Sequence, residues 1–136
     1  MADRMAECKK ACPNIVIIED DEDIRNSIQE VLEMDGYKVA AFANGKEALD
    51  GMGSCQNACL ILCDLMMPIM TGSEFLDARK HLGDTFFAIP VFIVSAWPEQ
   101  ARDRTDVKGF IKKPIDLNIL LKVVREYCGN SSKIAC

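Results

Sequence analysis

Four short apolar runs in this chain each stop at a residue able to do chemistry. Ile15-Val16-Ile17-Ile18 ends in Glu19-Asp20-Asp21, Cys59-Leu60-Ile61-Leu62-Cys63 ends in Asp64, Ile89 to Val94 ends at Ser95, and Gly109-Phe110-Ile111 leads to Lys113-Pro114. Taken singly, each has an ordinary structural explanation: a strand-end acid caps the next helix, a serine opens a turn, a lysine is a solvated charge. Brought to one crevice they make a different set. Glu19, Asp20 and Asp64 would repel one another, and a hard divalent cation with oxygen ligands relieves that repulsion. Mg²⁺ suits a site of few protein ligands completed by water and phosphate oxygens. With Lys113 as a primary ammonium and Ser95 as a hydroxyl, such a site neutralises and orients the equatorial oxygens of a transferring phosphoryl group. Asp64 is then the nucleophile, forming an aspartyl phosphate.

The elements that must position these residues are legible from periodicity. From Asn14 onward short β-branched or apolar runs alternate with longer amphipathic stretches, the pattern of repeated βα units and a parallel sheet. Ile24, Ile28, Val31 and Leu32 recur at helical spacing, and Gly36 closes that helix. Strands are expected at Tyr37 to Phe42 and Cys59 to Cys63, and helices at Gly45 to Met52 and Ser73 to Leu82, the latter carrying Phe75, Leu76 and Arg79. A fourth strand runs from Ile89, a brief fifth from Gly109, and a last helix from Asp116, its N-cap, to Tyr127, with Ile119, Leu120, Val123 and Val124 as its apolar stripe. Five strands alternating with five helices, connected right-handedly, most simply give an α/β doubly wound parallel sheet of order 2-1-3-4-5. Its ligand crevice lies at the strands' carboxyl ends beside the first strand, where all four strand-end groups fall.

The 136 residues fit one domain, expected over residues 14–128, with tails at 1–13 and 129–136 that carry no readable pattern. A net charge of −5 leaves no basic surface for nucleic acid, and no stretch of about 18 apolar residues is available to span a membrane. The N-terminal segment MADRMAECKKAC lacks the apolar region of a secretory signal. Seven cysteines, an odd number without export signals, argue against a disulfide framework and for a reducing cytoplasm. Cys55, Cys59 and Cys63 are spaced by four rather than in zinc-type pairs, and the single histidine, His81, lies far from them in sequence.

The segments IVIIEDDEDIR, CDLMMPIMTG, IPVFIVSA and GFIKKPID, spread over Ile15 to Asp116, together resemble the receiver domains of two-component signalling, the CheY-like superfamily with a flavodoxin-like fold. The resemblance implies that Asp64 is the phosphoacceptor, that Asp20 binds Mg²⁺ directly with Glu19 beside it through water, and that Met66 offers its backbone carbonyl to the metal. It further implies that Ser95 is the switch hydroxyl, Lys113 the lysine before proline, and Phe110 the aromatic that turns inward on activation. Glu19 stands where the family often has Asp, a variant expected to keep metal binding. The span from Ser95 to Lys113 is short by about one helical turn, so the fourth helix is expected to be stunted.

The implied role is a phosphorelay receiver, taking its phosphoryl group from a sensor histidine kinase or phosphotransfer protein and presenting the altered surface to a downstream protein. No turnover beyond self-phosphorylation and self-dephosphorylation is expected. Because the sequence ends just after the last helix, readout is expected by protein contact, with the chain itself monomeric. Two alternatives differ in class. Aspartyl-phosphate hydrolases resemble DxDxT or DxDxV, with a second Asp two residues on as general acid, and here that position is Met66. A pseudo-receiver would bind a partner without phosphorylation, but such proteins usually lose the acceptor, an acid or the lysine, and all are present here.

Overall fold

The computed structural model describes residues 15–52, 58–83 and 88–129. The five strands are β1 (Ile15–Ile18), β2 (Val39–Phe42), β3 (Leu60–Cys63), β4 (Val91–Ser95) and β5 (Gly109–Lys112), all parallel, in the order β2-β1-β3-β4-β5. The helices are α1 (Glu22–Met34), α2 (Gly45–Met52), α3 (Gly72–Arg79) and α4 (Leu117–Cys128). The expected doubly wound sheet is present, but among the described residues there are four α-helices rather than five: the connection between β4 and β5 holds only a 3₁₀ turn, Pro98–Ala101. Proline there removes a backbone donor, and the segment beyond is too polar to offer an apolar stripe to the sheet.

Alternate strand residues feed two separate cores, as pleating requires. Val16, Ile18, Ile61, Cys63, Val91 and Ile93 pack with Ala48 of α2 and Phe75 and Leu76 of α3. Ile15, Ile17, Leu60, Leu62, Phe92 and Val94 pack with Ile28 and Leu32 of α1 and Leu120 and Val124 of α4. A central strand buried on both faces explains why β1 and β3 read as unbroken apolar runs. Within the expected stripe of α4, Ile119 is instead exposed, because only the Leu120 and Val124 side of the helix meets the sheet.

Helix ends are set by local chemistry. The Asp21 carboxylate accepts from Ile24 N–H at the start of α1, Thr71 and Glu74 form a reciprocal capping box on α3, and Asp116 caps α4 through Asn118 and Ile119 N–H. Gly36 follows α1 with φ +96°, the left-handed conformation that glycine supplies without strain.

Two contacts join parts of the chain remote in sequence, and the first overturns the expectation of no disulfide. Cys59 and Cys128 form a disulfide with Cα atoms 5.4 Å apart, within the span such a bond requires. The argument from odd number and spacing fails for this pair because the entry to β3 and the end of α4, 69 residues apart, become neighbours only in the folded chain. Cys63 is a buried free thiol, while Cys8, Cys12, Cys55 and Cys136 and most of both tails lie outside the described residues. Arg79, at an apolar-periodic position of α3, is only 2% exposed, its guanidinium donating to the Ile89 and Asp106 carbonyls. Among the described residues no helix is long and apolar enough to cross a membrane.

Candidate functional site

β1 ends by handing its acids to the crevice. Glu19 N–H donates to the Phe42 carbonyl of β2 at 3.0 Å, which continues the ladder one residue past the strand, and Asp64 N–H donates to the Ile18 carbonyl at 2.9 Å. The two junctions therefore sit side by side at the sheet's carboxyl edge. Oxygens of Glu19, Asp20 and Asp64 all lie within 4.8 Å of one another, with Glu19 and Asp64 buried and Asp20 exposed.

Lys113 reaches this cluster from β5. Its N–H donates to the Ser95 carbonyl at 2.9 Å, its Nζ lies 2.7 Å from Glu19 Oε1 and 3.2 Å from Asp64 Oδ2, and its peptide bond to Pro114 is cis. The same hydrogen bond ties Lys113 to the end of β4, where Ser95 is 1% exposed and its Oγ accepts from Trp97 N–H at 3.1 Å. Burial pushes the Glu19 carboxyl up to about 7; the Lys113 hydrogen bond works against this and the neighbouring Asp64 adds to it. Burial pulls Lys113 down, but its hydrogen bond to Glu19 and the charge of Asp64 outweigh it and hold the ammonium above its ordinary value.

The fold thus brings Glu19, Asp20, Asp64 and Lys113 together, with Ser95 joined to them through the backbone of Lys113. Met66 follows Asp64 with its N–H 3.4 Å from Asp64 Oδ1 and its side chain exposed. Phe110 stands on β5 opposite Ile93, half-buried against the α2 and α3 core.

Two supporting residues escaped the sequence reading. Gly72 opens α3 directly beneath Asp64: a Cβ there would stand 2.2 Å from the Asp64 carbonyl oxygen and 2.9 Å from Leu65 Cα, so only glycine lets the helix approach. A glycine at the first position of a helix, where capping alone does not ask for it, is the signal that marks it. Arg25 of α1 folds back so that Nη1 donates to the Glu19 carbonyl at 2.9 Å and reaches the Asp20 carbonyl at 3.5 Å.

Three carboxylates of hard oxygen character with one lysine ammonium beside them suit a divalent cation such as Mg²⁺. The donor set fits.

The response regulator receiver domain family matches residues 15–125. The polar-differentiation response regulator DivK of Brucella anthropi is 28% identical over 122 residues, covering 87% of this chain and 98% of that protein. Among solved structures, the chemotaxis protein CheY4 of Vibrio cholerae superposes with a TM-score of 0.75 at 27% identity, covering 86% of this chain and 99% of that one. The receiver domain of the sensor histidine kinase PA1611 of Pseudomonas aeruginosa, solved with a magnesium ion coordinated in its active-site cleft, shares the fold at a TM-score of 0.76 and 20% identity, covering 88% of this chain and all of that one. Several curated relatives are much longer proteins, of which this chain spans 13% in one case and 54% in another. The chain belongs to the response regulator receiver domain family of two-component signalling.

Proposed function

We propose that the domain, residues 14–128, is a phosphoacceptor of a two-component phosphorelay, phosphorylated on Asp64 in a Mg²⁺-dependent reaction that switches a protein-interaction surface. The observation that carries this reading is the Lys113 ammonium held between Glu19 and Asp64 within a cluster of three convergent carboxylates. An Asp64 carboxylate oxygen attacks the phosphorus of an acyl phosphate or phosphohistidine; the donor's P–O or P–N bond breaks, and its electron pair leaves with the acetate or imidazole. Lys113 stabilises charge on the transferring group, and the Ser95 hydroxyl hydrogen-bonds it once transferred. Glu19, Asp20, Asp64 and the Met66 carbonyl would hold Mg²⁺, which supplies neutralisation of the charge that accumulates between carboxylate and phosphoryl oxygens.

The donor, a histidine kinase or phosphotransfer protein, must bring its phosphoryl group to this edge. A cavity of about 350 Å³ beside it, its apolar wall made by Ile24, Ile28, Ile115 and Leu117 and its polar members being Asp23, Ser27 and Lys113, offers a docking place within reach of Lys113. Ser95 and Phe110 are the proposed relay to the output surface, read by a downstream protein rather than by nucleic acid or membrane. The proposed setting is the cytoplasm, where such donors act; that reading rests on the donors and not on the cysteines, since Cys59–Cys128 is a disulfide.

Intact mass after incubation with acetyl phosphate and Mg²⁺ tests the reading. One added phosphoryl group is expected, and none in Asp64→Asn, whose amide is not an adequate nucleophile. A purely partner-binding role would leave the unmutated protein unlabelled.

A further inference from the structure

Arg25 takes all three backbone carbonyls of the acidic junction. Its guanidinium Nη1 donates to Glu19 O at 2.9 Å and reaches Asp20 O at 3.5 Å, while its backbone N–H donates to Asp21 O at 2.9 Å, the first hydrogen bond of α1. A carbonyl's direction sets the plane of its peptide, and these planes decide where the flanking side chains aim. Glu19 and Asp20 follow one another out of a strand, so their carboxylates would ordinarily point to opposite sides. Here both reach the same place, within 4.8 Å of Asp64. The Glu19 carboxylate is tied down further, accepting from Asp21 N–H at 3.2 Å.

Helix stability does not explain a guanidinium at this position. A cation in the first turn opposes the helix macrodipole, and the cap itself is already supplied by Asp21.

We propose that Arg25 is a positioning residue of the cation site: by holding the peptide planes that follow Glu19 and Asp20, it preorganises both carboxylates for a divalent cation. The inference rests on the cation site of the preceding section, and its test separates the two. Charge and geometry predict opposite signs. A nearby guanidinium repels a bound cation, so if charge were all that mattered, Arg25→Ala would tighten metal binding. Positioning predicts that it weakens, by about tenfold as for other residues that orient metal ligands.

The experiment is a Mn²⁺ titration of the folded protein, with free Mn²⁺ followed by electron paramagnetic resonance, on the unmutated chain and on Arg25→Ala, Arg25→Lys and Asp20→Ala. Circular dichroism establishes folding of each variant. Weaker binding is expected in Arg25→Ala, and also in Arg25→Lys, which keeps the charge but ends one bond short of the Nη1 that meets both carbonyls. Should Arg25→Ala fail to fold, Arg25→Lys decides alone. Unchanged or tighter Mn²⁺ binding in the folded Arg25 variants, with Asp20→Ala losing affinity, would overturn the positioning role and leave the site intact. Undiminished binding in Asp20→Ala would remove the cation site itself, and the inference with it.

Discussion

The Lys113 ammonium lies 2.7 Å from Glu19 Oε1, closer than it lies to Asp64 Oδ2, at 3.2 Å. The lysine thus places its positive charge between two buried carboxylates and screens them from each other. Because these are oxygens a metal would use, lysine and cation compete for them.

Replacing Lys113 by Ala should consequently separate the two roles. Mg²⁺ affinity should rise several-fold, since a competing positive charge is gone at short range. Phosphoryl incorporation from acetyl phosphate should fall about a hundredfold, since the transferring group loses its donor. Calorimetric titration and intact mass read the two effects, and a Lys113→Ala variant that labels as fast as the unmutated chain would contradict the assignment.

The raised Glu19 carboxyl gives a pH signature. Its folded-state value of about 7 exceeds the ordinary 4.5, so between those values the metal-free folded protein holds a proton that the unfolded chain releases. Stability of the metal-free protein should therefore decline as pH rises from about 5 to about 7, and Glu19→Gln should flatten that slope. A cation needs the ionised form, so the rise in Tm on adding Mg²⁺ should be small near pH 5.5 and largest near pH 8. Thermal unfolding at a series of pH values checks both signs; a Mg²⁺ shift independent of pH would exclude Glu19 from the cation site.

The Cys59–Cys128 bond closes a loop across most of the domain, 69 residues in sequence. Chain entropy puts its contribution at about 4 kcal/mol at most. Reduction with dithiothreitol, or Cys128→Ser, should lower the urea midpoint correspondingly and loosen the end of α4. Unfolding insensitive to dithiothreitol, together with two extra alkylatable thiols before reduction, would mean the bond is not formed in solution.

Activation should leave the protein monomeric. Between β4 and β5 the chain supplies one 3₁₀ turn, with Glu99, Gln100, Arg102 and Asp103 exposed, and Arg104 is committed to Asp77 and Asp106 at 2.8 Å each. A specific interface needs about 800 Å² per partner, which this polar segment does not offer as apolar surface. Light scattering after beryllofluoride treatment tests it; a doubled mass at micromolar concentration, absent in Asp64→Asn, would show that another face self-associates.

Strand number, strand order, the Gly36 stop and the Asp116 cap were legible in the sequence because their causes are local. β-branched runs buried on both faces, helical spacing in α1, and an Asp before α4 act within a few residues, and right-handed connection leaves little freedom in joining them. The same logic brought Glu19, Asp20, Asp64 and Lys113 to one sheet edge. What the tertiary structure alone decided depends on distances between elements remote in sequence. Lys113 prefers Glu19 over Asp64, Cys59 meets Cys128, Gly72 tucks under the Asp64 carbonyl, and Arg79 spends its charge on the Ile89 and Asp106 carbonyls. Ile119 carries an apolar side chain at helical spacing yet is exposed, because α4 lies on one face of the sheet and turns its Leu120 and Val124 side to it. Periodicity names which residues prefer burial; which partner each one meets is fixed by close packing, where an ångström separates a contact from a clash.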